Sequence, residues 1–185
     1  EVPMALSRPK KKAAFIDRDG VLNDLIDRGD TFKIGDQFIR WTAPFSREEL
    51  RLKTDAKQAL ELIGQKGYKR ILVTNQPDIA GGRISPKEFR LIMEPFHALP
   101  LDGIYICKHQ PSDGCPCRKP APGMLFSARD AHEIDLSRSY MIGDMETDVE
   151  AGIAAGTSTI LMTDDLDTKT RARHLAPNIL QAAIL

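Results

Sequence analysis

The segment Phe15-Ile16-Asp17-Arg18-Asp19-Gly20 ends an apolar run on two carboxylates set two residues apart. Alternate side chains at a strand end point the same way, and Gly20 permits the turn that must follow. One such carboxylate can serve as a nucleophile and its neighbour as a general acid or base. Asp144 and Asp148, in GDMETD, add acids at the end of another apolar run. Carboxylates at close range need a cation, and hard oxygen ligands suit Mg²⁺. A carboxylate attacking a phosphoryl group needs the same ion, which screens repulsion and draws charge from the transferring oxygens. Thr74 and Asn75, followed by Gln76, can donate hydrogen bonds to phosphate oxygens, and Lys119 supplies a positive charge for the same group. Arg118 is a second cation there, and Arg18, lying between the two acids, is placed with Asn75, Gln76, Arg118 and Lys119 among the substrate contacts. Asp148, in the first turn of a helix, reads equally as a cap and as a member of the acid set. Asp17, Asp19 and Asp144 together are poorly explained as turn residues or caps.

All three cysteines fall in CKHQPSDGCPC, residues 107–117. Cys107, His109, Cys115 and Cys117 form C-x-H-x₅-C-x-C, which matches a closed tetrahedral Zn²⁺ site with three sulfurs and one imidazole. There is no fourth cysteine to complete two disulfides, and redox or nucleophilic roles fit the spacing less well than a metal does. Such a site leaves no ligand position for substrate. It is structural, stiffening the loop that presents Arg118 and Lys119. His97, His132 and His174 have no such company and read as surface or core residues.

The elements that must position these groups alternate between strands and helices. Strands are expected at 13–17, 70–74, 103–107, 139–142 and 157–162. Helices are expected at 54–65, from a Ser85 cap with Pro86 and Glu88 to His97, at 124–132, and at 147–155 closing on Gly156. A last helix is expected within 170–185. Residues 1–12 read as an irregular leader. Residues 24–46 read as a long excursion, a flap bordering the substrate, with a small hairpin and the aromatics Phe32, Phe38, Trp41 and Phe45. A local core for those aromatics is the preferred reading, and a platform for a sugar or imidazole ring is open for one of them. The pattern describes one α/β domain over residues 1–185 with a central parallel sheet, whose ligands bind beyond the carboxyl ends of the strands. Asp17, Thr74, Cys107 and Asp144 all sit at those ends.

DRDG after a strand, Thr-Asn at the second strand end, Lys119 before Pro120, and GDMETD after the fourth strand together resemble the four motifs of the haloacid dehalogenase (HAD) phosphatase superfamily, over about residues 13–162. The resemblance implies a Rossmann-like three-layer sandwich and an aspartyl-phosphate intermediate. It implies Asp17 as nucleophile, Asp19 as acid and base, and Thr74 and Lys119 as phosphate-binding groups. It also implies Mg²⁺ on Asp17, the backbone carbonyl of Asp19, and Asp144. The zinc loop followed by CRKPAPGM is similar to the subfamily that holds the D-glycero-D-manno-heptose 1,7-bisphosphate phosphatases and the histidinol-phosphate phosphatase domain. TNQPDIAGG is similar to the TNQSGIARG-type segment of the heptose branch, with Pro77-Asp78 in place of Ser-Gly and Gly81 in place of Arg. The short gap between His109 and Cys115 is closer to the histidinol-phosphate branch. Members of this type lack a large cap, and no insert here exceeds about twenty-five residues.

The chain has 185 residues and a formal charge of zero, with 42% hydrophobic and 28% charged residues, as expected of a soluble globular protein. Its neutrality argues against nucleic acid as the main partner. No run approaches the roughly 18 apolar residues of a membrane span, and no apolar signal region stands near the start, so the expected location is the cytoplasm. Residue 1 is Glu, which reads as a processed or trimmed start. The expected activity is Mg²⁺-dependent hydrolysis of a small phosphorylated metabolite by a monomer, with the heptose bisphosphate ahead of histidinol phosphate and other sugar phosphates. A zinc-stabilised binding or nucleic-acid end-processing module is the alternative of another class. It would not need Asp17, Asp19, Thr74, Lys119 and Asp144 together.

Overall fold

The computed structural model describes residues 9–185, so the expected leader lies largely outside them, and its last residue, Lys12, already belongs to the sheet. In chain order the elements begin with β1 (Lys12–Ile16) and the short strands β2 (Ile26–Asp27), β3 (Lys33–Ile34), β4 (Gln37–Phe38) and β5 (Trp41–Thr42). They continue with α1 (Ala56–Gln65), β6 (Tyr68–Asn75), α2 (Pro86–His97), β7 (Gly103–Cys107) and α3 (Gly123–His132). The chain closes with β8 (Tyr140–Gly143), α4 (Glu146–Ala155), β9 (Ser158–Met162), β10 (His174–Ala176) and α5 (Ile179–Ile184).

Six strands form a parallel sheet in the order β10-β9-β8-β1-β6-β7. After β1 the chain builds outward through β6 and β7, then returns across to β8 and builds the other way. The switch point therefore lies between β1 and β8, where Ile16 faces Ile142 in register. A crevice opens at such a point beyond the strand ends, and Asp17 and Asp144 are the next residues of the two strands.

β1 is buried on both faces, as a central parallel strand must be. Its side chains alternate between two cores. Ala14 and Ile16 pack with Leu72, Ile142 and the apolar faces of α1, α2 and α5. Ala13 and Phe15 pack with Ile71, Val73, Met141 and with α3, which contributes Met124, Leu125 and Ala128. The buried stripe of α1 is Ala56, Ala59, Leu60 and Ile63, the spacing that its sequence shows.

Helix α2 starts as expected, with Ser85 Oγ accepting from Glu88 N at 3.1 Å and Pro86 in the first turn. The Glu88 carboxylate does not complete the box. It accepts from Arg47 N at 2.6 Å and so ties the chain just after the 24–46 excursion to α2. Within that excursion Arg28 makes two 2.6 Å contacts to Glu49 and stacks on Phe45, whose ring lies 6.1 Å from that of Phe32. Phe32 and Phe45 thus form the local core, whereas Phe38 and Trp41 are 64% and 53% exposed.

The tail corrects an expectation. Before the final helix it adds β10, paired with β9 from His174 to Ala176. Three residues carry no periodicity of their own, and this strand exists because the edge of β9 offers it a ladder.

Phe15 is fully buried against the α3 face. Phe15→Ala is expected to lower the unfolding free energy by about 3–5 kcal/mol, read from urea denaturation. A midpoint within error of the parent would contradict the packing described.

Candidate active site

Asp17 follows β1 directly, and its N–H donates to Ile142 O at 3.0 Å, so the ladder holds its backbone to the last residue. Its Oδ1 accepts from Arg18 N at 2.7 Å and pairs with Lys119 Nζ at 2.8 Å. Lys119 is only 3% exposed. Its ammonium donates to Val73 O at 3.0 Å and forms ion pairs with Asp17 and with Asp148 Oδ1, the latter at 2.6 Å. Its main chain is clamped as well. Lys119 N donates to Asn75 Oδ1, and Asn75 Nδ2 donates to Lys119 O, each at 3.0 Å. The side chain of Asn75, expected at the substrate, is thus engaged with the loop that carries the lysine.

Asp19 turns the other way. Its carboxylate accepts from Arg18 Nε at 3.1 Å, Arg18 NH2 at 2.9 Å, Asn23 Nδ2 at 3.0 Å and Gln76 Nε2 at 2.7 Å. Gln76 also bonds Thr74 Oγ1 at 2.9 Å and accepts from Arg18 NH2 at 2.9 Å. Arg18 and Gln76 are 0% and 1% exposed. Arg18 reaches inward to Met93 and lies 5.6 Å from the Phe96 ring, so it props Asp19 from beneath instead of facing the crevice. Arg118 is half-exposed beside His109 O at 3.5 Å.

Asp17, Asp144 and Asp148 converge, each offering an oxygen within 4.8 Å of the others. Asp148 resolves the ambiguity of its sequence position by doing both jobs. Its Oδ2 accepts from Met145 N at 3.1 Å as a cap, and its Oδ1 pairs with Lys119. Two glycines make room for this crowd. A Cβ on Gly20, which sits at φ +81°, would collide with the Asp144 carboxylate, and one on Gly143 would collide with that of Asp148.

The electrostatics ask for more positive charge. Burial pushes Asp17 up to about 8, against the pull of Lys119 and with help from Asp148 and Asp144. Burial and Asp148 push Asp144 up to about 7. Burial pulls the Lys119 ammonium down, but Asp17 and Asp148 outweigh it and hold it above its ordinary value. Asp144 Oδ1 is buried with no partner among the described residues. The upward push disfavours the charged form that a carboxylate nucleophile needs, so a hard dication among these oxygens fits what the residues lack.

The second cluster lies at the end of β7. Cys107 Sγ is 3.6 Å from Cys115 Sγ and 3.3 Å from Cys117 Sγ, and the last two are 3.4 Å apart. His109 Nδ1 is 3.5 Å from Cys107 and 3.2 Å from Cys117. These separations far exceed an S–S bond of about 2.05 Å. They approach the edges of a tetrahedron, roughly 3.8 Å, that Zn–S bonds of about 2.3 Å would give. Burial and the neighbouring sulfurs push Cys117 up to about 12, an arrangement of thiols that a dication would relieve.

The chain was compared with known proteins. A HAD-hydrolase-like family model matches residues 116–183. A D-glycero-β-D-manno-heptose-1,7-bisphosphate 7-phosphatase of Helicobacter pylori is 35% identical over 166 residues, covering 86% of this chain and 87% of the relative. The chain belongs to that phosphatase family of HAD-like hydrolases. A Salmonella typhi member is 38% identical over 170 residues, covering 84% of this chain and 80% of its own. Among solved structures, the D,D-heptose 1,7-bisphosphate phosphatase of B. bronchiseptica, complexed with magnesium and phosphate, superposes with a TM-score of 0.76 at 25% identity, covering 94% of this chain and 96% of that one. HAD phosphatases use Mg²⁺, in keeping with the acid cluster found here.

Removing the buried ammonium leaves Asp17 and Asp148 without their shared counter-charge. Lys119→Met is expected to lower the unfolding free energy by about 3–5 kcal/mol, measured by urea denaturation without added metal. A loss under about 1 kcal/mol would mean the ion pair is not holding the site together.

Proposed function

We propose that this phosphatase hydrolyses the 7-phosphate of D-glycero-D-manno-heptose 1,7-bisphosphate, a step toward a surface-polysaccharide precursor. The observation that carries the reading is the set Asp17, Asp144, Asp148 and Lys119 at the switch point, in a chain whose relatives bear that name over most of their length. Asp17 attacks phosphorus and forms an aspartyl phosphate. Asp19 protonates the leaving sugar oxygen, then takes a proton from the water that hydrolyses the intermediate. To do so it must swing out of its bonds to Arg18, Asn23 and Gln76 toward the side where Asp17 lies. Lys119 and Thr74 hold charge and a hydroxyl near the transferring group. Mg²⁺, held by Asp17 and Asp144 with the backbone carbonyl of Asp19, supplies charge neutralisation on the phosphoryl oxygens. Asp148 fixes Lys119 against Asp17.

Zn²⁺ on Cys107, His109, Cys115 and Cys117 is proposed as structural, setting the loop from which Arg118 meets substrate and Lys119 enters the site. Three thiols at non-bonded distance support a reducing compartment, the cytoplasm. No helix among the described residues is long and apolar enough to cross a membrane. A zero formal charge supports a small metabolite over nucleic acid, and the monomer is taken as the working unit.

Phosphate release with Mg²⁺ is expected to favour the heptose bisphosphate over histidinol phosphate by roughly a hundredfold or more in kcat/KM, and Asp17→Asn is expected to abolish it with the fold intact. The reverse preference would give weight to the short zinc-loop gap and move the enzyme to histidinol phosphate. Cys115→Ser is expected to lose the zinc found by metal analysis of the parent and to raise hydrogen exchange across residues 107–119. A parent protein prepared without chelators and free of zinc would refute the site.

A further inference from the structure

A crevice of about 670 Å³ runs from the acid cluster to the underside of the 24–46 flap. Gly20 and Asp144 of the acid cluster line it together with Trp41 and Lys53, and Asp24 and Asp164 contribute further carboxylates. Of the flap's four aromatics, Phe32 and Phe45 are used in the local core and Phe38 does not line the crevice. Trp41 does line it, and is 53% exposed. The strand pairing of β5 with β2, and Arg40 stacked on the indole at 5.5 Å, fix its position. An exposed aromatic ring is a flat apolar surface with a polar edge, which suits the C–H face of a sugar ring. The rest of the lining mixes the apolar Leu25, Met162 and Pro177 with charged groups. Asp24, Asp144 and Asp164 stand against Lys53, whose ammonium already lies 3.5 Å from Asp24. Even with a dication beside Asp144, Asp24 and Asp164 offer carboxylate acceptors for hydroxyls and little net attraction for a second phosphate.

Resting on the phosphatase reading above, we infer that this crevice is the leaving-group subsite, and that Trp41 selects a neutral polyhydroxylated ring by stacking against it while Asp24 and Asp164 accept hydrogen bonds from its hydroxyls. The substrate's other phosphate then points away from this pocket. Trp41 is thus a specificity-determining residue, placed by a flap that the Arg47–Glu88 bond, just after its end, ties to α2.

Trp41 is the chain's only tryptophan, so its emission reports the subsite alone. In Asp17→Asn protein with Mg²⁺, titration with heptose 1,7-bisphosphate is expected to shift or quench that emission, whereas inorganic phosphate, which has no ring, is expected to leave it unchanged. In the otherwise native enzyme, Trp41→Ala is expected to lower the ratio of kcat/KM for the heptose bisphosphate to that for acetyl phosphate by about tenfold, and Trp41→Phe to restore most of it. An equal emission response to inorganic phosphate, or a ratio within about twofold of the parent in Trp41→Ala, overturns the inference. Should the parent enzyme ignore the heptose bisphosphate and hydrolyse another sugar phosphate, the named substrate fails. The same ratio and titration with that sugar phosphate then decide the crevice. Hydrolysis of acetyl phosphate with no sugar phosphate preferred over it overturns both.

Discussion

Everything at the mouth of the sheet depends on one buried ammonium. Asp17 and Asp148 would repel each other across the switch point if Lys119 did not stand between them at 2.8 and 2.6 Å. Burial alone would disfavour all three charges, and only their mutual pairing makes the arrangement tolerable. The pairing still leaves a deficit, because Asp144 adds a further buried carboxylate that Lys119 does not contact. The charges of such a site favour a divalent ion among its carboxylates, as proposed above. The glycines at 20 and 143 are the steric side of the same condition, since the acids approach closer than a methyl group would allow.

The division of labour between the two carboxylates of the first motif is also electrostatic. Asp17 sits with other acids and one ammonium, where its pKa rises. Asp19 sits among the donors of Arg18, Asn23 and Gln76. Acids two residues apart therefore occupy opposed environments, which suits the proposed roles of attacking group and proton carrier. Arg18, between them in sequence, faces neither solvent nor the crevice and serves as the floor beneath Asp19.

Much of this was legible in the sequence because the chemistry sits where local rules are strongest. Asp17, Thr74, Cys107 and Asp144 terminate or follow apolar runs that read as strands, and a parallel sheet brings such ends together. The four candidate zinc ligands are close in sequence, so spacing alone singled them out, and the structure brings them together. What escaped was set by contacts between distant segments. Nothing local tells whether the first-turn acid Asp148 caps a helix or pairs with Lys119, and it does both. Nothing local says that Arg18 turns inward, that Asn75 grips the Lys119 main chain, or that Glu88 leaves its capping box for Arg47. Strand β10 was invisible because its stability comes from β9 rather than from the residues 174–176 themselves.

The grip on Lys119 has a further meaning. Lysine has a flexible four-carbon stem, and ordering it costs about 1.5–2 kcal/mol in lost rotamers. Here the main chain is clamped by Asn75 on both its N–H and its carbonyl, and the ammonium is tethered to Val73 O at the other end. That entropy is surrendered when the chain folds. In the proposed mechanism an arriving phosphoryl group would meet a cation that has nothing left to search for, and the binding energy of the substrate would stay available for the bond that must break.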